Sequence, residues 1–210
     1  MSDYTIRIKH DAPSAEDYNQ RKDAKHDAEM NLVRKGFGLL DSSVERVLDA
    51  PCGVGRATIL LASMGYDTTG VDLGIGAVEV AQRELENSKL DGRVEIGNLE
   101  NFAYADGFFD AILCFRVYHH FPNDGVRDRV VAELCRVAKD YVLISYFSPF
   151  SVTSIKRNLR EKLNIKKSIQ YSTSLESLCK KFAGHGFSLV QDIPQQLFLH
   201  TLHLAVFKRD

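Results

Sequence analysis

Apolar and polar positions along the chain change period repeatedly, and each change marks an element. Met30, Val33, Phe37 and Leu40 recur three and four residues apart, the spacing of one helical face, so an amino-terminal helical cap is expected over about residues 14–41. Short apolar runs bounded by glycine, proline and polar residues then read as strands over 44–49, 67–72, 94–97, 109–115, 141–146, 187–193 and 198–207. Helical periods fill the gaps at 57–64, 75–88, 126–137 and 175–183. Strands alternating with helices predict an α/β fold, a sandwich with a mostly parallel sheet and helices on both faces.

One stretch exceeds what such a fold needs. Over about 149–171, Val152, Ile155, Leu159 and Leu163 form an apolar stripe, while Lys156, Arg157, Arg160, Lys162, Lys166 and Lys167 oppose the single acid Glu161. This basic helical insert is either a lid with a solvated cationic face or a surface that receives an anionic substrate, RNA or a membrane. It follows a strand's carboxyl end, the edge at which open parallel sheets hold ligands, which makes Lys156, Arg157 and Arg160 candidates for substrate binding.

The run Asp49-Ala50-Pro51-Cys52-Gly53-Val54-Gly55 places a strand end, a glycine turn and a helix start within a few residues. Gly53 and Gly55 allow the backbone to turn sharply and approach a ligand, and a helix beginning at Arg56 would leave amides free for a carboxylate. Asp49 is placed to accept from an ammonium. The same turn would also serve as a plain βα connection. Asp72 ends the next strand about twenty residues on, where a ribose acceptor sits in dinucleotide folds. The glycine spacing departs from the dinucleotide fingerprint, with Pro51 at its first position, so NAD is the weaker reading.

These residues resemble the class I S-adenosylmethionine-dependent methyltransferases of small-molecule type. Asp49 to Gly55 matches the family's first motif, Gly70-Val71-Asp72-Leu73 its acidic second strand, Gly97-Asn98-Leu99 the loop after the third, and Phe109-Asp110-Ala111-Ile112-Leu113 the fourth. His119-His120-Phe121-Pro122 is similar to the loop that follows. The resemblance implies a Rossmann-like, seven-stranded sheet whose final strand is antiparallel, with the last strand pair joined across Pro194-Gln195-Gln196. It also implies S-adenosylmethionine as cofactor and S-adenosylhomocysteine as product, held by Asp49, Ala50, Pro51, Gly53, Gly55, Asp72, Leu73, Asn98, Leu99 and Cys114, with no metal. Two positions depart from the pattern: Pro51 stands where glycine is usual, and Asn98 where aspartate normally accepts from the adenine amine. An amide oxygen still accepts.

Composition narrows the class. At 210 residues, with 44% hydrophobic and 26% charged residues, the chain is expected to form a single domain over 1–210 with a sizeable core. A net charge of -1 argues against a protein built mainly for nucleic acid. Four cysteines without CxxC spacing read as reduced thiols. No basic-then-apolar leader and no span-length apolar run is visible. The expectation is a soluble cytoplasmic protein with a small-molecule acceptor and, at most, peripheral membrane contact through the insert.

Methyl transfer from a sulfonium needs alignment and dryness more than reactive side chains. A neutral histidine would still assist a hydroxyl or amine acceptor. His119, ahead of His120, is the candidate base, with either residue alternatively satisfying a carbonyl in its turn. Arg116 would bind a carboxylate or phosphate, or be ion-paired; Tyr118 and Tyr146 would line the acceptor pocket or simply pack. Leu73 and Leu99 would sandwich adenine or belong to the core. The expected function is methyl transfer to an oxygen or nitrogen of a small, anionic molecule. An RNA or protein methyltransferase docking through the insert, and a catalytically silent nucleoside-binding module, are the alternatives.

Overall fold

A computed structural model describes residues 23–150, 170–196 and 202–210. Seven strands form one sheet: β1 (Arg46–Asp49), β2 (Asp67–Asp72), β3 (Arg93–Ile96), β4 (Phe109–Cys114), β5 (Ala138–Phe147), β6 (Phe187–Pro194) and β7 (Leu202–Arg209). Among the described residues five helices are interleaved: α1 (Asp23–Phe37), α2 (Arg56–Ser63), α3 (Ile75–Asn87), α4 (Asp124–Val137) and α5 (Leu175–Ala183), with a 3-10 turn at Tyr118–His120. The strand order is β3-β2-β1-β4-β5-β7-β6. Pairings from β3 through β5 are parallel, and β7 runs antiparallel to both neighbours. The sheet is therefore mixed and Rossmann-like: mostly parallel, as the strand–helix alternation predicts, with the antiparallel final strand that the resemblance implies.

Side chains alternate across the central strands and feed two apolar layers. Leu48, Ile112, Val142 and Ile144 meet Val130, Leu134, Leu178 and Phe182 beneath α4 and α5. Val47, Leu113, Leu143 and Leu204 meet Leu32, Phe37, Leu60 and Leu61 beneath α1 and α2. With β4 wholly buried, its run Phe109–Cys114 shows no polar alternation, the pattern of a strand covered on both faces.

The expected strands at 67–72 and the helix at 175–183 fall on their residues, and other ends differ by one to a few positions. Of the expected amino-terminal cap, α1 is described, and residues before 23 lie outside the described residues. So does the core of the basic insert, 151–169. No helix among the described residues is long and apolar enough to cross a membrane.

Candidate active site

Strand order reverses between β1 and β4, so connections from these neighbours leave in opposite directions and open a crevice at their carboxyl ends. The glycine turn lies in that crevice. The Ala50 amide donates to Leu113 O at 2.9 Å, and the Cys52 amide to Val71 O at 2.9 Å, so the turn is laced to both flanking strands. Pro51, in a cis peptide with Ala50, offers no amide. Gly53 (φ +56°) and Gly55 (φ +82°) both occupy the left-handed region, which side-chain-bearing residues enter at a cost. They differ in surroundings: a Cβ on Gly53 would meet nothing within 4 Å, whereas one on Gly55 would lie 2.9 Å from Ala81 Cβ. Gly53 thus leaves a cradle open and Gly55 lets α3 close on the turn.

Asp49 lies beneath this cradle. Its Oδ2 accepts from Thr58 Oγ1 at 2.7 Å, while Oδ1 is buried and has no hydrogen-bond partner among the described residues. Burial pushes the carboxyl up to about 7, against the Thr58 hydrogen bond and with the nearby Asp72 charge adding to the rise. An orphaned buried acceptor is costly unless something donates to it. The arrangement fits a bound ammonium.

Asp72, at the end of β2, holds the loop together: Oδ2 accepts from Gly53 N at 2.9 Å and Oδ1 from Gly74 N at 2.8 Å. A carboxylate has about four acceptor sites, so each oxygen retains one for a ribose hydroxyl. Asn98 Oδ1 accepts from Glu100 N at 3.0 Å, a local turn that fixes the amide oxygen and leaves it a second lone pair. Leu73 is 36% exposed beside the turn, available to cover a base. Leu99, by contrast, is part of the core layer beneath α4, so the structure gives it the packing position. Cys114 is fully buried in that layer too, its thiol pushed up by burial; it has no surface to offer a cofactor. Ala50 is likewise fully buried and contributes through its backbone.

Beyond β4 the chain turns sharply at Arg116, a non-glycine residue at φ +64°. Such a strained position persists only where its surroundings fix it. Here the Arg116 amide donates to buried Ser145 Oγ at 2.6 Å, its Nε lies 3.5 Å from Glu29 of α1, and its guanidinium sits 5.7 Å from the Phe147 ring centroid. The ion-paired alternative for Arg116 is the one observed, and it ties α1 to the crevice.

The histidines next along divide. His119 is 1% exposed and its ring stacks on Phe147 at 3.8 Å and 10°, while its carbonyl accepts from the Tyr171 amide at 2.8 Å. That is a packing position, and it removes the geometric basis for preferring His119 as the base. His120 is partly exposed, at 4.2 Å between ring centroids from His119. Tyr118 is fully buried between Phe121 and the Arg127 guanidinium, with its hydroxyl unpartnered among the described residues. It lines no open surface. Tyr146 is also buried, and its hydroxyl donates to Asp192 Oδ1 at 3.1 Å. Lys156, Arg157 and Arg160 lie outside the described residues; the flanking chain is anchored by Thr173 N donating to Phe147 O at 2.8 Å.

Sequence reasoning missed Thr58, Ser145, Glu29 and the Asp192–His203 pair. None carries a local motif, because each acts on a residue far away in the chain or on another element. A second cleft, of about 560 Å³, opens at the opposite edge of the sheet among Asp106, Arg136, Lys139, His185 and Arg209. Arg136 there is already bound to Glu133 and Asp106, and Arg209 to the carbonyls of Cys135, Ala138 and Lys139.

Comparison with known proteins points to a methyltransferase domain. Residues 47–141 match the family described as a methyltransferase domain. The chain is 32% identical over 101 residues to a methyltransferase of Streptomyces halstedii, covering 47% of this chain and 35% of that protein. It is 32% identical over 96 residues to a ubiquinone biosynthesis O-methyltransferase of Thiobacillus denitrificans, covering 45% and 40%. The chain therefore spans less than half the length of these relatives. In fold, it is similar to magnesium protoporphyrin IX methyltransferase from Synechocystis PCC 6803, solved with bound S-adenosylhomocysteine. The TM-score is 0.71 at 19% identity, covering 100% of this chain and 90% of that one.

Proposed function

We propose that this chain, whose residues 47–141 match a methyltransferase domain, is a class I S-adenosylmethionine-dependent methyltransferase that methylates an oxygen or nitrogen nucleophile of a small, anionic molecule. Oxygen is favoured because an O-methyltransferase stands among the relatives. The observation that carries the reading is the orphaned, buried Oδ1 of Asp49 beside the open cradle of Gly53: one calls for a cationic donor, and the other leaves space for the group that brings it.

S-adenosylmethionine, when bound, supplies a methyl group activated by a sulfonium. The chain's own residues then have three tasks. Asp49 receives the ammonium, and the ion pair offsets the desolvation that holds the carboxyl up. Asp72, which fixes the Gly53 and Gly74 amides, would hold the ribose; Asn98 would accept from the base through its amide oxygen, and Leu73 would cover it. The Arg116 turn, pinned by Ser145 and Glu29, places a cation beside the crevice and fixes its wall. Holding two reactants aligned in a dry site is worth many orders of magnitude in effective concentration, so this scaffold needs no nucleophile of its own.

Calorimetry tests the reading directly. S-adenosylhomocysteine should bind, and more tightly than NAD; tighter NAD binding would sink the assignment. A mass-spectrometric screen for a 14-dalton gain, about the mass of a methylene and the net change of any methyl-for-hydrogen exchange, in metabolite extracts incubated with enzyme and S-adenosylmethionine identifies the acceptor.

A further inference from the structure

Resting on the methyltransferase reading, we propose that Asp192 and His203 form an acid–base dyad that takes the proton of the acceptor's hydroxyl. His203 lies at the start of β7, directly paired with Tyr146 of β5 and Pro194 of β6. That pairing puts it at the carboxyl edge of β5, the edge that carries the glycine turn and the Arg116 bend. Its Nδ1 is 2.8 Å from Asp192 Oδ2, and the Tyr146 hydroxyl donates to the other oxygen, Oδ1, at 3.1 Å. Both carboxylate oxygens are thus occupied, and the imidazole is held from two sides, its ring 5.4 Å from that of Tyr146.

A carboxylate only accepts, so Nδ1 carries the proton and the neutral ring offers its lone pair at Nε2. The His203 side chain is 19% exposed, open enough to be reached and too enclosed to swing freely. His119 is buried against Phe147. Only β5 stands between β7 and β4, so His203 lies about two strand spacings of roughly 4.8 Å from the end of β4. Among the described residues, the groups shown against His203 are Tyr146 from β5 and Asp192 from β6; Cys179 of α5 lies near Asp192, and burial and the Asp192 charge push its thiol up. An ordinary hairpin would place apolar side chains here, since a partly buried polar trio seldom improves stability over hydrophobic packing.

As the acceptor oxygen bonds to the methyl carbon, the carbon–sulfur bond breaks with its electron pair left on sulfur. The hydroxyl proton passes to His203 Nε2. The imidazolium formed is offset by Asp192 and later releases the proton to water.

The test uses the 210-residue chain with ¹⁵N-labelled histidine, S-adenosylhomocysteine, and an anionic catechol, 3,4-dihydroxybenzoate, as the hydroxyl probe. Long-range ring correlations, assigned with His203→Gln, should show His203 protonated on Nδ1, and its Nε2 resonance should move when the catechol joins the S-adenosylhomocysteine complex. In methylation of the catechol, H203Q should lower kcat/KM about 100-fold while S-adenosylhomocysteine affinity stays unchanged. Its rate should instead follow the acceptor's own ionisation, near about 10 for a phenol. Asp192→Asn, which keeps the shape, should move the wild-type rate limb to lower pH, because losing the carboxylate disfavours imidazolium. An Nε2-protonated His203, a ring indifferent to the catechol, or an unchanged pH limb in H203Q overturns the dyad alone. Failure of the wild-type chain to bind S-adenosylhomocysteine overturns the methyltransferase reading, and the dyad with it.

Discussion

Asp49 has a consequence that can be measured without an acceptor. Its ordinary carboxyl value is near 3.8, and burial lifts it in the folded chain to about 7. A raised folded value means that the folded state binds the proton more tightly, so the stabilisation is complete below about 4 and disappears as pH rises through about 7. Asp49→Asn should remove this decline, and the variant should gain melting temperature over the wild type between pH 4 and pH 8, the range set by those two values. Ligand binding has the opposite sign, because the ammonium requires the ionised carboxylate. S-adenosylhomocysteine affinity should rise toward about pH 7 with proton release, seen as calorimetric heats that vary with the buffer's ionisation enthalpy. Heats independent of buffer would place the ammonium elsewhere. For Asp72→Ala, loss of a charge-assisted ribose bond should weaken S-adenosylhomocysteine roughly ten- to hundredfold, on the order of 1.5–3 kcal/mol; an unchanged dissociation constant would move the ribose. Asp49 and Asp72 were legible in sequence because their positions are fixed locally, at strand ends beside a glycine turn. The surroundings of His119 were not legible, for the converse reason. Whether a loop histidine faces a pocket or stacks on Phe147 depends on a strand that arrives 28 residues later, counting from 119 to 147.

Between strands and helices, the two glycines of the turn should separate binding from folding. Gly53→Ala must hold a left-handed backbone, at roughly 1–2 kcal/mol, and its methyl would project into the open cradle, so the loss should fall chiefly on S-adenosylhomocysteine affinity. Gly55→Ala meets the same backbone cost and also a clash with Ala81 Cβ at 2.9 Å and Cα at 3.1 Å, which forces α3 away from the turn. It should lower the melting temperature more than Gly53→Ala does. Comparable melting temperatures for the pair would refute the contrast. Most element ends were readable because turn chemistry and apolar period agree there. The 3-10 turn at Tyr118–His120 was not read, since its residues are ordinary loop formers and the turn is bound from outside by Tyr171 and Phe147. The Tyr146–Asp192–His203 trio was equally hidden: β-pairing across β5, β7 and β6 assembles it, and no spacing along one strand announces it.

At the scale of the molecule, a mostly parallel sheet was legible from alternation and the antiparallel final strand came with the resemblance, but the strand order, with its switch point and with β7 between β5 and β6, is written in no spacing along the chain. The cations expected to serve the acceptor belong to a stretch whose ends leave from Phe147 and return at Thr173, on the far side of β4 from the nucleoside residues of β1 and β2. Replacing Lys156, Arg157 and Arg160 by glutamate should therefore leave S-adenosylhomocysteine affinity nearly unchanged and raise the Michaelis constant of an anionic acceptor at low ionic strength, where screening is weakest. Normal acceptor kinetics in the triple variant would reduce those cations to solvated surface.

The strand order also dictates a sequence of events during synthesis. Strands β1 to β5 find their partners among themselves, so the nucleoside-binding half can assemble once Phe147 has emerged. Strand β5 then presents an open edge, with Val142, Leu143 and Ile144 waiting for Phe207, Val206 and Ala205. Strand β6 is made next but has no seat, because β7 must enter between it and β5. Such late, non-local pairing is slow, and an open edge invites strangers. If Asp49, Asp72 and Asn98 hold the nucleoside as proposed, a nascent chain would acquire that grip well before His203 arrives, and a bound nucleoside would steady the unfinished sheet while it waits.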